Sequence, residues 1–442
     1  MSEAGGGDRS PYRFAIALAI VALVAFVIRV LFVVMVDPTV PRIGDASAYH
    51  LLAEHLAHGQ GYIRPFDKLL LNKTRFTAEY PPLFATVLAV PARLGIHSVE
   101  SQRIFVGLIG AGNVALIGLL GRRALSPAVG IVAASLAAIY PMFFQAEGTL
   151  MAEALYAPLV ALLLLLAYRA WDEPTTGHFV ALGLAIGFAT LARAEGFLLG
   201  IVVLGAGTLL QRHPHVVRHA LVAFAVAVAV VAPWTIRNAA RFHTLVPVSN
   251  NVATLVDGAN CDATYHGPLI GLWRETFSEF GDSARTLPQA QACFEGFDIA
   301  DPHFDEADVA SKHQRDGASY ARHHLGALPK VMAVRVLRTW GIYAPNQQIN
   351  FETLEGRPRE WQRRGTFMYW LMAPLAIVGA VLLHRARRPI WPLLATAVSV
   401  VVVAALTYGQ QRFRIAAEPA ICVLAAVTLV LATRAIRSRA PA

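Results

Sequence analysis

Ten stretches of the 442-residue chain read as apolar runs of spanning or near-spanning length: about 12–36, 99–121, 124–144, 150–169, 178–192, 196–211, 218–236, 367–384, 390–408 and 416–433. A helix needs about 20 residues to cross about 30 Å of hydrocarbon. The pattern therefore predicts an all-α polytopic protein, a bundle of about ten transmembrane helices. The pair 178–192 and 196–211 is short and reads as a tight helical hairpin bent at "ARAEG". One further apolar piece, "PPLFATVLAVPARL" (81–94), starts on two prolines and contains Pro91; its length suits an interfacial or re-entrant helix better than a span. After the first run the pattern turns abruptly polar at "PRIGDASAYHLLAEHLAHGQGY" (41–62). There Asp45 is placed to cap a short amphipathic helix, with Tyr49, Leu52 and Leu56 on one face and His50, Glu54 and His58 on the other. A second helical pattern at 320–343, apolar positions interrupted by Arg and Lys, predicts an amphipathic helix lying on the outer surface.

Composition supports the membrane reading. Hydrophobic residues make up 56% of the chain, charged residues only 15%, and the mean hydropathy is +0.50; soluble domains carry about a quarter charged residues. The net charge of +9 does not point to nucleic acid, because the basic residues cluster at the ends of apolar runs. If 81–94 does not cross, Arg122, Arg123, Arg169, Arg212, Arg218, Arg385, Arg387, Arg388 and the basic tail all share the side of the N-terminus. The positive-inside rule makes that side the cytoplasm and places both termini there. The first run is too long for a cleaved signal and lacks a small-residue cleavage site, so it reads as a span. The outer side then receives about 37–98, 145–153, 192–196, 237–366 and 408–419, and three parts follow: 1–236, the large outer segment 237–366, and 367–442. The cytoplasmic loops are too short for a nucleotide-binding domain and carry no phosphate-binding glycine motif. Cys422 lies in an apolar run, whereas Cys261 and Cys293 fall in the large outer segment and can pair if it faces an oxidising compartment.

On the outer side the chemically able residues collect. Asp45 is both a helix-capping candidate and a carboxylate at the membrane boundary, placed to take a proton from an incoming hydroxyl. Glu79, in "FTAEYPPLF", is presented by a rigid turn; Glu147 and Glu153 bracket the next outer turn. Arg29 is embedded in the first span, a functional candidate by default. Arg412 and Arg414 in "YGQQRFRIAAEP", with Arg193 and Arg237, place four guanidiniums on one face, the natural clamp for a phosphate. The row His50, Glu54, His58 has metal-ligand spacing but fits the solvated face of an amphipathic helix better.

Seven blocks, in order, resemble the GT-C-type membrane glycosyltransferases, in the branch of bacterial protein O-mannosyltransferases and aminoarabinose transferases. They are "RIGDASAYHLLAEHLAHGQGY", "AEYPPLFATVLAVPARLG", "GLLGRRALSPAVGIVAASLAAIYP", "MAEALYAPLVALLLLL", "ATLARAEGFLLG", "PWTIRNAARFHTLVPVSNN" and "GQQRFRIAAEPAICVLAA". The resemblance implies a sugar donor on a polyprenyl phosphate, transfer with inversion, and Asp45 as general base. It also implies arginines on the lipid phosphate, for which Arg412, Arg414, Arg193 and Arg237 are the candidates, with Glu79 and Glu153 as further site carboxylates. The acceptor would be a hydroxyl compound and the location the extracytoplasmic face of a bacterial cytoplasmic membrane. No cofactor is required by that chemistry and a divalent metal is optional. The chain departs from the pattern in carrying Glu153 where Asp is frequent, Tyr80 where aminoarabinose transferases have Lys, and no Asp-Glu pair in the first loop. The readings from other classes are a lipid or sugar transporter and a catalytically degenerate assembly subunit. Asp45 lying more than about 12 Å from every one of the outer arginines would count heavily against a shared site.

Overall fold

The computed structural model describes residues 9–36, 44–210, 215–242, 244–273, 293, 301 and 303–437. Nineteen α-helices follow one another among them, with no β-strand beyond a single bridge between Ile63 and Phe76. Helix α1 (Arg9–Leu31) runs on into a π-turn, Phe32–Val36, and α2 (Asp45–Ala57), α3 (Pro65–Leu71) and α4 (Pro82–Arg93) form the first interhelical segment. The bundle continues with α5 (Val99–Ala124), α6 (Pro127–Ile139), α7 (Pro141–Gly148), α8 (Glu153–Asp172), α9 (Thr176–Ala192), α10 (Glu195–Leu210) and α11 (Val216–Ala239). The large polar segment folds into α12 (Asn251–Gly258), α13 (Asp262–Tyr265), α14 (Glu306–His323), α15 (Leu328–Thr339) and α16 (Pro345–Glu352). Three helices close the bundle: α17 (Arg359–Arg385), α18 (Trp391–Leu406) and α19 (Glu418–Arg437).

Each of the ten apolar runs is mainly helical over its described residues. Among the described residues six helices are long and apolar enough to cross a membrane; α6 and α7 together make a seventh candidate, bent by 49° at their junction. The bend falls at Tyr140–Pro141, where proline cannot donate to the preceding turn. The hairpin of α9 and α10 turns at Arg193–Ala194, as the pattern predicted, and both helices are shorter than 18 residues. Helix α4 has 12 residues, about 18 Å at 1.5 Å each, which is short of a span. It buries Phe84, Ala85 and Leu88 against Tyr49, Leu52 and Ala53 of α2.

Close helix contacts rest on glycine. A Cβ on Gly130 of α6 would lie 2.4 Å from the Gly118 carbonyl of α5, and one on Gly379 of α17 would lie 1.9 Å from the Leu424 carbonyl of α19. Backbones this close gain dispersion contacts that apolar lipid cannot supply.

Three expectations are corrected here. Asp45 is not an N-cap: Gly44 occupies that position with φ 149°, no side chain caps the helix, and Asp45 is its first residue. The pattern at 320–343 is not one surface helix. It breaks between α14 and α15, and Arg335 and Arg338 are buried, 1% and 0% exposed. They donate to the carbonyls of Ala259, Ile270, Pro268 and Ala405 and so tie α15 to its neighbours. Arg29, the functional candidate of the first span, opens onto no site: it is 1% exposed and pairs with Glu147, its Nε 2.5 Å from Oε2.

Cys261 and Cys293 are disulfide-bonded, 32 residues apart. Replacing both by Ser is expected to cost about 3–4 kcal/mol of stability through the released loop entropy. Thermal unfolding of the detergent-solubilised protein with and without reductant measures it; unchanged unfolding in both would show the bond is idle.

A candidate active site around Asp45

Asp45 sits at the start of α2, and its carboxylate meets a side chain 367 positions away. Nη1 of Arg412 donates to Asp45 Oδ2 at 3.0 Å. Arg412 lies in the 3-10 turn Gln411–Ala416 between α18 and α19, a largely buried break from which its guanidinium reaches Asp45 of α2. It is shared. Glu355 Oε1 lies 3.5 Å from the same Nη1, and Glu153 Oε1 is 3.7 Å from Nε.

Glu153 opens α8 and is 1% exposed. Arg193, from the α9–α10 turn, approaches its Oε1 at 2.7 Å and also pairs with Glu195. Arg357 reaches the same oxygen at 4.0 Å and Glu352 at 2.8 Å. Asp45, Glu153, Arg193 and Arg412 thus form one connected network, joined by Glu352, Glu355 and Arg357. Beneath it lies a cavity with room for about one water molecule, lined by Glu153, Arg357, Gln411, Arg412 and Glu418 among others.

A second network adjoins it. Arg64 Nη1 stands 3.3 Å from Glu79 and 2.7 Å from Glu306, and its Nε donates to Asp67 at 3.0 Å. Glu306, the first residue of α14, also accepts from Thr77 Oγ1, the Ala78 N–H and Asn250. That fastening clips the large polar segment onto the first one. Tyr80 turns its ring edge to Tyr49 at 5.0 Å and is 8% exposed, so it packs where a lysine would have projected.

The electrostatics follow from crowding. Glu79 and Glu355 leave 28% and 24% of their side chains open to the site, yet protein encloses both closely. Burial raises the Glu79 carboxyl to about 7; Arg64 opposes the rise, while Glu306, Asp45 and Asp67 add to it. Burial and the charge of Asp45 raise Glu355 to about 7 against the pull of Arg412. Arg412 and Arg193 are held firmly protonated against the burial that would discharge them, Arg412 by the Tyr408 phenol and then Asp45, Glu355 and Glu153, Arg193 by Glu153 and Glu195.

Not every expected site residue joins. Arg414, buried at 0%, pairs with Glu418 at 2.5 Å. Arg237 donates to the carbonyls of Thr77 and Tyr62 and lies over the Trp234 ring. Of the four arginines only Arg412 and Arg193 share a carboxylate. Glu147 is taken up by Arg29. His50 bonds Gln102, Glu54 bonds His97, and His58 bonds a backbone carbonyl of its own helix. Among the described residues no three His, Cys, Asp or Glu side chains are grouped to hold a metal, since Asp45, Glu153 and Glu355 converge on a guanidinium instead.

Glu352, Glu355 and Arg357 escaped the sequence reading. Their one signal is the run "ETLEGRPRE" (352–360) directly before a span, with Gly356 at φ 80° turning the chain and Pro358 capping α17.

Residues 79–236, less than half of the chain, match the family model of dolichyl-phosphate-mannose-protein mannosyltransferases. The whole chain superposes on the oligosaccharyltransferase AglB of Archaeoglobus fulgidus, solved with an inhibitory peptide and a dolichol-phosphate. The TM-score is 0.56 at 16% identity, over 99% of this chain and 53% of that one. The chain has the GT-C fold. A further structure of the A. fulgidus oligosaccharyltransferase, with Zn and sulfate, gives a TM-score of 0.54 at 15% identity over 96% of this GT-C chain and 50% of that one. ArnT from Cupriavidus metallidurans, bound to undecaprenyl phosphate, gives 0.44 at 16% identity over 94% and 77%. This chain spans about half the length of the oligosaccharyltransferases it matches. No curated protein matches its sequence.

Proposed function

We propose that the protein is an integral-membrane glycosyltransferase that moves a sugar from a polyprenyl-phosphate donor to a hydroxyl acceptor at the outer face of a bacterial cytoplasmic membrane. The observation that carries this reading is the Asp45–Arg412 contact: a carboxylate and a guanidinium, far apart in sequence, meet at one end of an apolar bundle. Asp45 uses Oδ2 on Arg412 and has 23% of its side chain open, leaving Oδ1 for an incoming hydroxyl. As general base it takes the hydroxyl proton while the acceptor oxygen attacks the anomeric carbon from the face opposite the phosphate, inverting that centre.

The phosphate leaves with the bonding pair. Arg412 and Arg193 are the guanidiniums placed to receive it. Arg412 holds Glu355 only at 3.5 Å, a loose contact that a phosphate oxygen can replace with a stronger charge-assisted bond. The dolichol-phosphate bound to AglB supports a lipid-linked donor on this fold.

Purified protein incubated with a panel of polyprenyl-phosphate sugars should release polyprenyl phosphate in the presence of hydroxyl acceptors. Lipid-sugar movement across vesicles without any bond cleavage would replace this reading with transport.

A further inference from the structure

Arg237 joins neither carboxylate network, and it has a neighbour of the same charge. It stands on the last turn of α11, a helix long and apolar enough to cross a membrane. Its Nη1 donates to the Thr77 carbonyl at 2.8 Å and its Nη2 to the Tyr62 carbonyl at 3.0 Å. Arg241 follows just past the helix end and is exposed. Its guanidinium carbon lies 4.1 Å from the centre of the Phe76 ring, and that of Arg237 lies 5.8 Å from the same ring.

Among the described residues neither arginine forms an ion pair, whereas Arg64, Arg193, Arg357 and Arg412 each do. Glu306, which binds the Ala78 N–H beside that Thr77 carbonyl, is already engaged by Arg64, Thr77 and Asn250. Two like charges against one ring repel. A half-buried guanidinium without a counter-ion is costly where protein and lipid exclude water.

The surroundings say which anion fits. The Trp234 ring lies 4.8 Å from the Arg237 guanidinium carbon, and Tyr62 packs edge-on against Trp234 at 4.6 Å. Such amphipathic rings favour the headgroup level of a bilayer. Ile236 and Leu245, on either side of the pair along the chain, are 67% and 73% exposed, and Phe76 is 41% exposed. A free anion leaves these apolar groups uncovered. A phospholipid serves both: its phosphate meets the guanidiniums, and its acyl chains cover the apolar side chains.

We propose that Arg237 and Arg241, backed by Phe76 and Trp234, form a site for the phosphodiester headgroup of an anionic phospholipid at the end of α11. The site lies outside the Asp45–Arg412 network and does not depend on the transfer reaction.

The test places a bimane label at Leu245→Cys in the full chain, held in phosphatidylcholine nanodiscs. Leu245 precedes Val246, whose carbonyl accepts from Asn238 at 3.0 Å, so the label sits beside Arg237. A trace phospholipid with a nitroxide high on one acyl chain quenches the label when it occupies the site. Nitroxide phosphatidylglycerol is expected to associate about thirtyfold more strongly than nitroxide phosphatidylcholine, the combined effect of two basic groups at an anionic lipid surface. Arg241→Gln should cut the preference to about fivefold, and Arg237→Gln/Arg241→Gln should abolish it. Arg241 is exposed, so its single variant keeps the test valid even if the loss of Arg237 loosens α11. Equal quenching by the two lipids, or a preference unchanged in Arg241→Gln, overturns the proposal. Displacement by inorganic phosphate at constant ionic strength would mark a free-phosphate site and overturns it too. So does stronger displacement by polyprenyl phosphate than by unlabelled phosphatidylglycerol, which would make the pair a donor contact.

Discussion

Replacing Asp45 by Asn is expected to lower kcat for sugar transfer by about 10²–10⁴-fold, the range of a lost general base. The amide keeps the shape and can still accept from Arg412 through its oxygen, so the bundle should remain folded. What it loses is the ability to take the acceptor proton. The fall should appear in kcat, with binding of polyprenyl phosphate retained, because the arginines assigned to the phosphate are untouched. Initial rates of polyprenyl phosphate release, beside a direct binding measurement, separate the two. An Asn variant with wild-type turnover would remove Asp45 from the chemistry and return attention to Glu79 and Glu355.

Arg29→Leu should give the largest loss of stability, about 3–5 kcal/mol, the cost of leaving a buried charge without its partner. Glu147 is 2% exposed and its carboxylate faces Arg29 and the backbone of α5, where a Cβ on Gly110 would come within 2.2 Å of it. Arg29 also donates to the carbonyls of Ala25 and Ala138, next to the α6–α7 bend. The pair thus pins the first helix at a point where the bundle is broken. Thermal unfolding in detergent should show a strongly lowered midpoint for Arg29→Leu and recovery of most of the loss in Arg29→Leu/Glu147→Leu, which removes both charges. A double variant as unstable as the sum of the two singles would show that the pair is not the determinant.

The helices were legible because membrane spans are the strongest signal a sequence carries. In hydrocarbon every backbone polar group must be satisfied within its own segment, so length and apolarity alone announce a helix. The hairpin at "ARAEG" was legible for the same reason, and proline marked α4; the bend between α6 and α7 was not read, because Pro141 lies inside a run, 124–144, apolar throughout. The helix at 320–343 misled because arginine in an apolar pattern normally reads as a wet face. Arg335 and Arg338 instead turn inward, since carbonyls from distant loops satisfy their donors, and only the tertiary structure supplies those carbonyls.

The same division holds at the site. Sequence alone determined that carboxylates and arginines would gather where apolar runs end, because the membrane leaves charged groups nowhere else to go. It singled out Asp45, Glu153, Arg193 and Arg412, which are brought together, and equally Arg414 and Arg237, which are not. The arginines look alike along the chain; what separates them is which partner each finds. Arg414 is one helical turn from Glu418 and closes on it locally. Arg412, two residues earlier, points the other way and meets Asp45 and Glu355 from segments 367 and 57 positions distant. Contacts at that separation leave no local pattern, because they are set by how the helices pack. The tertiary structure alone decided that Asp45 and Glu355 share Arg412, because only the packing of the helices brings these segments to one guanidinium.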